Sequence, residues 1–149
     1  RPESDVFRIN NLHLMNPIME VAAKQKIPLL IHSSAQSPFS LPTTIARIAE
    51  VFPEVTIIMG HMGAGSKDAI TVAHKNPNII LETSGVIASK SILEAVRVLG
   101  PKRIIFGSDF PYLDQLIERK KTEALKLPLE HKRLIMGANM AKILKISIG

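Results

Sequence analysis

Short apolar runs recur along the chain, and each stops at a polar or small residue. The four runs are Pro28–His32, Val55–Met59, Asn78–Glu82 and Lys102–Phe106. Their isoleucine and leucine side chains do not alternate with polar ones, which is typical of strands buried on both faces of a parallel sheet. The runs therefore predict four parallel β-strands.

Segments with the 3.6-residue period of a helix lie between these strands. Two apolar helix faces are formed by Ile45, Ile48, Ala49 and Phe52, and by Ile92, Ala95, Val96 and Leu99. Further helices are predicted at Met15–Gln25, before the first strand, and at Leu129–Lys145, after the last. A proline near the start of each strand stops the preceding helix. This alternation predicts parallel strands joined by helical crossovers.

Two α/β architectures are compatible with this alternation. An open doubly wound sheet carries helices on both faces, whereas a (β/α)₈ barrel closes eight strands inside a ring of helices and needs about 250 residues. The chain has 149 residues, and no linker or low-complexity stretch divides it. We therefore expect residues 1–149 to form a single domain. The polar residues at the strand ends must decide between the two folds.

Composition narrows the classes of function. The chain has no cysteine, so a disulfide framework is excluded and a metal would need histidine and carboxylate ligands. No apolar run approaches the roughly 20 residues of a membrane span, and we expect no signal peptide. We expect a cytoplasmic protein that does not bind membranes.

The net charge of +6 raises the question of nucleic-acid binding. Much of the positive excess lies in residues 118–121 and 131–133. Neither cluster is interleaved with aromatic side chains that stack on bases, so we interpret both as solvated helix faces. Nucleic acid is therefore not an expected partner.

Three residues that commonly bind metals or move protons stand at the ends of predicted strands: His32, His61 and Asp109. The carboxyl ends of parallel strands share one edge of a sheet, where barrel enzymes place their active sites. Imidazole and carboxylate are preferred zinc ligands, so the pattern indicates a metal or catalytic site. A structural role for each residue is the alternative, and Asp109 could instead cap the next helix or form an Asx turn.

Two more polar residues come at the end of the third strand. Glu82 would be buried there and would need a partner, either a neighbouring cation or a histidine that it orients. Ser84, which follows the strand, is better placed than Glu82 to contact a substrate. Gly107 permits close backbone approach beside Asp109. The other histidines are expected on the solvated surface: His13, His74 and His131.

The order and spacing of these segments resemble the amidohydrolase-related family, which includes metal-dependent hydrolases and the aminocarboxymuconate-semialdehyde decarboxylase type. The matching strand ends are Ile31-His32, Gly60-His61-Met62-Gly63, Glu82-Thr83-Ser84-Gly85 and Gly107-Ser108-Asp109-Phe110-Pro111. The tail Gly137-Ala138-Asn139-Met140-Ala141 resembles the family's final helix. The resemblance covers nearly the whole chain. It implies the C-terminal half, strands five to eight, of a (β/α)₈ barrel.

The resemblance also implies roles for the strand-end residues. His32 corresponds to the metal-ligating histidine of strand five. His61 corresponds to the strand-six histidine, which binds a second metal or acts on substrate and water. Asp109 corresponds to the strand-eight aspartate, a metal ligand and proton-transfer group. The implied cofactor is a divalent metal, with zinc expected, and the implied reaction is attack of metal-activated water on a small organic substrate or, in the decarboxylase branch, loss of carbon dioxide.

One family feature is missing from this sequence. The family's first strand carries a His-x-His pair that supplies two metal ligands, and nothing here matches it, since His13-Leu14-Met15 is not such a pair. The residues present fall short of the three protein ligands usual at a catalytic zinc site. We therefore expect weak or absent metal binding and no turnover from this half by itself.

A half barrel would also leave its first and last strands as open edges and its inner face uncovered. An N-terminal half or a second copy of the chain could complete it, so the expected partners are one of these and a small-molecule substrate. An enzyme is the leading hypothesis for the function of this chain. A non-catalytic half-barrel module, which would be structural or bind a partner, is the second hypothesis, and a basic nucleic-acid binder is the third.

Overall fold

The computed structural model describes Pro2 and residues 5–147, which form a four-stranded parallel sheet with helices around it. The strands are β1 (Leu29–Ile31), β2 (Ile57–Met59), β3 (Ile79–Glu82) and β4 (Ile104–Ile105). Neighbouring strands pair in parallel, in the order β1-β2-β3-β4. The four predicted strands are confirmed, and each is shorter than predicted at one or both ends.

Helices precede, connect and follow the strands. They are α1 (Leu12–Gln25), α2 (Pro42–Val51), α3 (Ala69–Lys75), α4 (Ser89–Leu99), α5 (Gln115–Glu123), α6 (Leu129–Arg133) and α7 (Asn139–Leu144), with short 3₁₀ turns at Gly60–Gly63 and Pro101–Arg103. α2 begins at Pro42, which has no backbone N–H. At the first position of a helix an N–H would have no intrahelical acceptor, so no hydrogen bond is lost there. The Asp114 carboxylate caps α5 by accepting the N–H groups of Leu116 and Ile117. None of the helices in the described residues has the length and hydropathy needed to cross a membrane.

The prediction of one continuous helix over Leu129–Lys145 is wrong. A π-helical segment, Leu134–Ala138, separates α6 from α7. Within it, Gly137 has a φ of 175°, an extended conformation that leaves the helical path. As a result α6 and α7 are separate elements.

One face of the sheet packs against α1 to α4. Its side chains form a single apolar core with those of the helices, and the most buried members include Met19, Ile45, Ile57, Ile79, Leu81 and Ile92. The strand order follows the chain order without reversal, so the sheet lacks the switch point of a doubly wound fold. Crossover helices on a single face are instead the arrangement of a barrel wall.

The opposite face of the sheet, here called the inner face, carries one aliphatic side chain from each strand: Leu30, Ile58, Ile80 and Ile105. The three isoleucines are at most 7% exposed, and Met140 and Ile143 of α7 pack against them. The prediction of an uncovered inner face is therefore wrong for β2, β3 and β4. It holds for β1, where the Leu30 side chain is 65% exposed.

The edge of β4 is also partly covered. The N–H of Phe106, directly after the strand, donates to the carbonyl of Ile135 at 2.8 Å. A backbone donor at this edge is thereby satisfied within the chain, which corrects the prediction that the last strand is a fully open edge.

The Arg103 side chain fixes the start of β3. Its guanidinium donates to the carbonyls of Ala73, Asn76 and Ile79, where α3 ends and β3 begins. Burial lowers the pKa of the Arg103 guanidinium. The position of β3, and of the residues at its carboxyl end, depends on this anchor.

The Asn139 side chain attaches α7 to β4. Its amide nitrogen donates to the carbonyl of Pro101 at 2.7 Å and to that of Ile104 at 2.8 Å. Asn139 itself is buried. The asparagine of the family-like tail therefore has a structural role.

Replacing Asn139 with alanine is expected to destabilise the complete protein. The carbonyl of the buried Ile104 loses its amide donor, at a cost of about 1–3 kcal/mol. Urea unfolding should show a lower midpoint for Asn139→Ala, whereas Lys142→Ala, at an exposed position of the same helix, should unfold like the wild type. Equal midpoints for all three proteins would contradict the anchoring role.

Candidate active site at the carboxyl ends of the strands

One cavity lies where the carboxyl ends of the four strands meet. Its volume is about 380 Å³, and the polar side chains that line it are His32, His61, Glu82, Ser84, Asp109 and Tyr112. His32 follows β1, His61 follows β2, and Asp109 follows β4. The structure thus places the three predicted strand-end residues in the lining of one cavity.

The two histidines of this cavity are neighbours. The ring centroids of His32 and His61 are 4.8 Å apart, and the rings meet edge-on with 70° between their planes. Both residues are half-buried. Two imidazoles with a carboxylate in the same cavity are donors of the kind that zinc and similar divalent metals accept.

The number of donors is smaller than a metal centre needs. In the part of the chain that the structure describes, no three His, Asp or Glu side chains are close enough together to hold a metal ion. A catalytic zinc site usually has three protein ligands. The donor types therefore fit a metal, and the set is incomplete without further ligands.

Glu82 organises the cavity wall from a buried position. It is 6% exposed. Oε1 accepts the N–H of Ser84 at 2.5 Å, and Oε2 accepts the Ser84 hydroxyl at 2.8 Å and the N–H of His61 at 3.1 Å. The sequence predicted either a cation or a histidine as the partner of this carboxylate. Its hydrogen bonds connect it to His61, through the backbone N–H of that residue.

The same network determines which nitrogen of His61 carries the proton. Nδ1 lies 3.1 Å from the carbonyl oxygen of Ser84 and 2.9 Å from its hydroxyl oxygen. A carbonyl oxygen can only accept, so we assign the proton to Nδ1. The hydroxyl donates to Glu82 and can therefore accept from Nδ1. In the neutral ring the lone pair is then on Nε2, where it can bind a proton or a metal.

The backbone at the site adopts an uncommon conformation. His61, Met62 and Asp109 have φ values of 57°, 46° and 54°, in the left-handed region that residues other than glycine rarely occupy. Each such residue costs about 1–3 kcal/mol and persists only where its surroundings hold it. The hydrogen bond from the backbone N–H of His61 to Glu82 helps to hold His61 in this conformation. This conformation falls on two of the predicted residues, but it also occurs at helix ends outside the cavity, at Lys26 and Lys145, so it does not by itself mark the site.

Gly107 makes room for the carboxylate of Glu82. A Cβ atom at this position would lie 2.0 Å from Oε1 of Glu82, far inside van der Waals contact. The close approach predicted for Gly107 is therefore present, and its cause is the buried carboxylate of β3.

Asp109 does not cap the helix that follows it. Asp114 does so, five residues later. The backbone oxygen of Asp109 accepts the N–H of Tyr112 at 2.9 Å, and Asp109 lines the cavity. The capping alternative is wrong, and a role as ligand or proton-transfer group stays a prediction.

Ser84 is deeply buried, with an exposed fraction of 2%. Its hydroxyl is bound to Glu82 and lies beside His61. These contacts give it a part in positioning His61, and direct contact with a substrate stays a prediction.

The remaining histidines lie away from the cavity lining. His13 and His74 are exposed, as predicted. His131 is half-buried, and its Nδ1 is buried without a hydrogen-bond partner. The prediction that His131 is solvated surface is therefore wrong.

Two residues of α5 that support the cavity wall were missed by sequence reasoning. Glu118 is buried and accepts the N–H of Gly85 at 3.1 Å, while Lys121 pairs with Glu118 and donates to the carbonyl of Thr83 at 3.1 Å. Both lie in the 118–121 cluster, so its interpretation as a fully solvated face is wrong. The signal that could have found them is the helical spacing of the inward-facing residues of α5 and of the turn after it: Glu118, Lys121, Thr122 and Leu125.

A larger cavity of about 800 Å³ adjoins the first one. It lies between the segment after β2 and the start of α4, and its lining includes His61, Met62, Lys67, Ile70, Val86 and Lys90. His61 lines both cavities. Each of the two cavities is of the size that binds small organic molecules.

Comparison with known proteins gives both a family and a fold. The family model described as "Amidohydrolase" matches residues 2–146. Among proteins of curated function, none matches the chain. The crystal structure of 5-carboxyvanillate decarboxylase from Sphingomonas paucimobilis superimposes with a TM-score of 0.69 at 19% identity, over 88% of this chain and 53% of that chain.

Two further structures show the same half-length match. An uncharacterized TIM-barrel protein from Bordetella bronchiseptica gives a TM-score of 0.82 at 17% identity, over 93% of this chain and 52% of that one. An amidohydrolase from Burkholderia multivorans with bound zinc gives a TM-score of 0.69 at 12% identity, over 87% of this chain and 56% of that one.

The chain spans about half the length of the solved structures it matches. At these identities the likeness concerns the fold alone, and it identifies the four-stranded sheet as half of a (β/α)₈ barrel. The doubly wound alternative is therefore wrong. Since the family model covers nearly every residue, the chain belongs to the amidohydrolase family.

Proposed function

We propose that this chain forms half of a metal-dependent hydrolase that acts on a small organic substrate. The observation that carries the proposal is the meeting of His32, His61 and Asp109 in one cavity at the carboxyl ends of parallel strands. Barrel enzymes place their active sites at this face. Membership of an enzyme family supports the same reading.

His32 and Asp109 are the residues that would hold a divalent metal, with zinc as the expected ion. Their imidazole nitrogen and carboxylate oxygens are both accepted zinc ligands. When bound, such an ion polarises a substrate carbonyl and makes water more acidic. The zinc in the Burkholderia amidohydrolase supports a metal of this kind.

His61 is the acid–base group in this proposal. Its Nδ1 is engaged by Ser84, which leaves Nε2 to take a proton from the attacking water and return it to the leaving group. Glu82 fixes the backbone N–H of His61 and the hydroxyl beside the ring. Asp109 is the second group of the cavity that can move a proton.

A second half barrel completes the site in this proposal, supplied by the same protein or by another copy of the chain. Two observations favour it. The described residues contain no three-ligand group, and Leu30 is exposed on the inner face, next to His32. The missing ligands would come from strands that continue the sheet beyond β1.

Asp109→Asn should lower kcat/KM of the complete enzyme by at least about 10²-fold. An amide is neutral, binds a divalent cation poorly and cannot accept the proton that a carboxylate accepts. Steady-state kinetics would measure the loss. Asp68→Asn is the matched control, because Asp68 is exposed and outside both cavities. Full activity in the Asp109 variant would refute the assigned role.

His32→Ala should reduce the metal content of the complete protein. Since even outer partners of metal ligands change affinity about 10–100-fold, loss of a direct ligand should weaken binding at least as much. Elemental analysis after equilibration with zinc measures this, with the exposed His74→Ala as control. Removal of metal by a chelator should abolish turnover, and zinc should restore it. Equal metal content in both variants would contradict the assignment.

A decarboxylase is the second candidate, favoured by the similarity to 5-carboxyvanillate decarboxylase. In that reaction His61 or Asp109 would protonate the carbon that loses carbon dioxide. Isotopes separate the two reactions once a panel of esters, amides and aromatic carboxylic acids yields a substrate. Oxygen from ¹⁸O-water in the product supports hydrolysis, whereas release of labelled carbon dioxide from a ¹³C-carboxyl group, without solvent oxygen in the product, supports decarboxylation.

A further inference from the structure

The peptide group between Ser84 and Gly85 connects α5 with the imidazole of His61. Its carbonyl oxygen lies 3.1 Å from Nδ1 of His61, and its N–H donates to Oε2 of Glu118 at 3.1 Å. A peptide group is planar and rigid. A carboxylate on α5 therefore controls the orientation of the carbonyl that faces His61.

Glu118 is itself held firmly in place. It is 7% exposed, and a buried carboxylate needs both a counter-charge and hydrogen-bond donors. Lys121 provides the counter-charge, and Gly85 provides a donor. Lys121 also donates to the carbonyl of Thr83 at 3.1 Å, so the pair contacts the loop on both sides of Ser84.

The other hydrogen bonds of this loop act on different groups. Glu82 binds the N–H and the hydroxyl of Ser84, which lie before the Ser84–Gly85 peptide. Gly85 has a φ of 67°, and glycine accepts the alternative backbone angles that a rotated peptide would need. Without the acceptor on Glu118, this peptide can rotate and turn its carbonyl away from Nδ1.

We propose that Glu118 is a positioning residue for His61. It holds the Ser84–Gly85 peptide so that the proton stays on Nδ1 and the lone pair stays on Nε2, and Lys121 keeps Glu118 in place. The effect on turnover rests on the proposed function. The effect on the proton position does not.

The position of the proton can be measured directly. In the complete protein labelled with ¹⁵N-histidine, two-bond ¹H–¹⁵N spectra at a pH where the ring is neutral distinguish the two tautomers. The wild type should show His61 with its proton on Nδ1. In Glu118→Ala the ratio of the Nδ1–H to the Nε2–H form should fall by about tenfold, the net effect of one hydrogen bond.

A milder variant covers the case in which Glu118→Ala does not fold. Glu118→Gln retains an oxygen acceptor without its charge, and a neutral acceptor binds more weakly. It should shift the His61 tautomer ratio by less than alanine does. In a uniformly ¹⁵N-labelled sample, the amide resonance of Gly85 should also move, because its acceptor has changed. A shifted Gly85 amide with an unchanged His61 tautomer would overturn the proposal.

Glu123→Ala is the matched control, because Glu123 lies on the exposed side of the same helix and pairs with Arg119. It should leave the tautomer and the kinetics as in the wild type. In Glu118→Ala, kcat should fall in proportion to the fraction of His61 that keeps its proton on Nδ1, with KM unchanged. A lower Nδ1–H fraction without a matching fall in kcat would refute catalysis by His61 while supporting the positioning role. An unchanged tautomer would refute the positioning role whatever the kinetics show.

Discussion

A carboxylate buried at the end of β3 is the constraint on which the site depends. A charge taken out of water is costly unless donors replace the lost solvent, and Glu82 obtains them from two loops. To supply these donors, His61 takes a left-handed conformation and Ser84 turns its hydroxyl inward, while Gly107 leaves the space that Glu82 fills. One buried charge thereby couples the segments after β2, β3 and β4.

The loop after β3 is held by carboxylates from two directions. Glu82 acts from within the sheet, and Glu118 acts from α5. The residues between them present a hydroxyl and a carbonyl to His61. The two carboxylates differ in how their charge is balanced, since Glu118 has Lys121 as counter-ion whereas the hydrogen bonds to Glu82 come from backbone and hydroxyl donors.

The strands and the strand-end residues could be predicted from the sequence because parallel strands buried on both faces have a distinctive apolar composition. Their carboxyl ends necessarily share an edge, so the grouping of His32, His61 and Asp109 followed from the topology. The break at Gly137 was missed because the apolar period continues through it. Glu118 and Lys121 were misread because a charged pair on a helix faces inward only when another segment offers it partners. The tautomer of His61 likewise depends on a carbonyl 23 residues away.

The packing of α7 on the inner face has a consequence for how such a barrel closes. Met140 and Ile143 occupy apolar surface of β2, β3 and β4, and the interior of a closed barrel is filled by layers of strand side chains. Side chains that fill the barrel interior beside β2, β3 and β4 would therefore have to displace Met140 and Ile143 of α7 from this surface. Closure of the barrel therefore requires α7 to leave this surface as well as new strands to pair with the sheet.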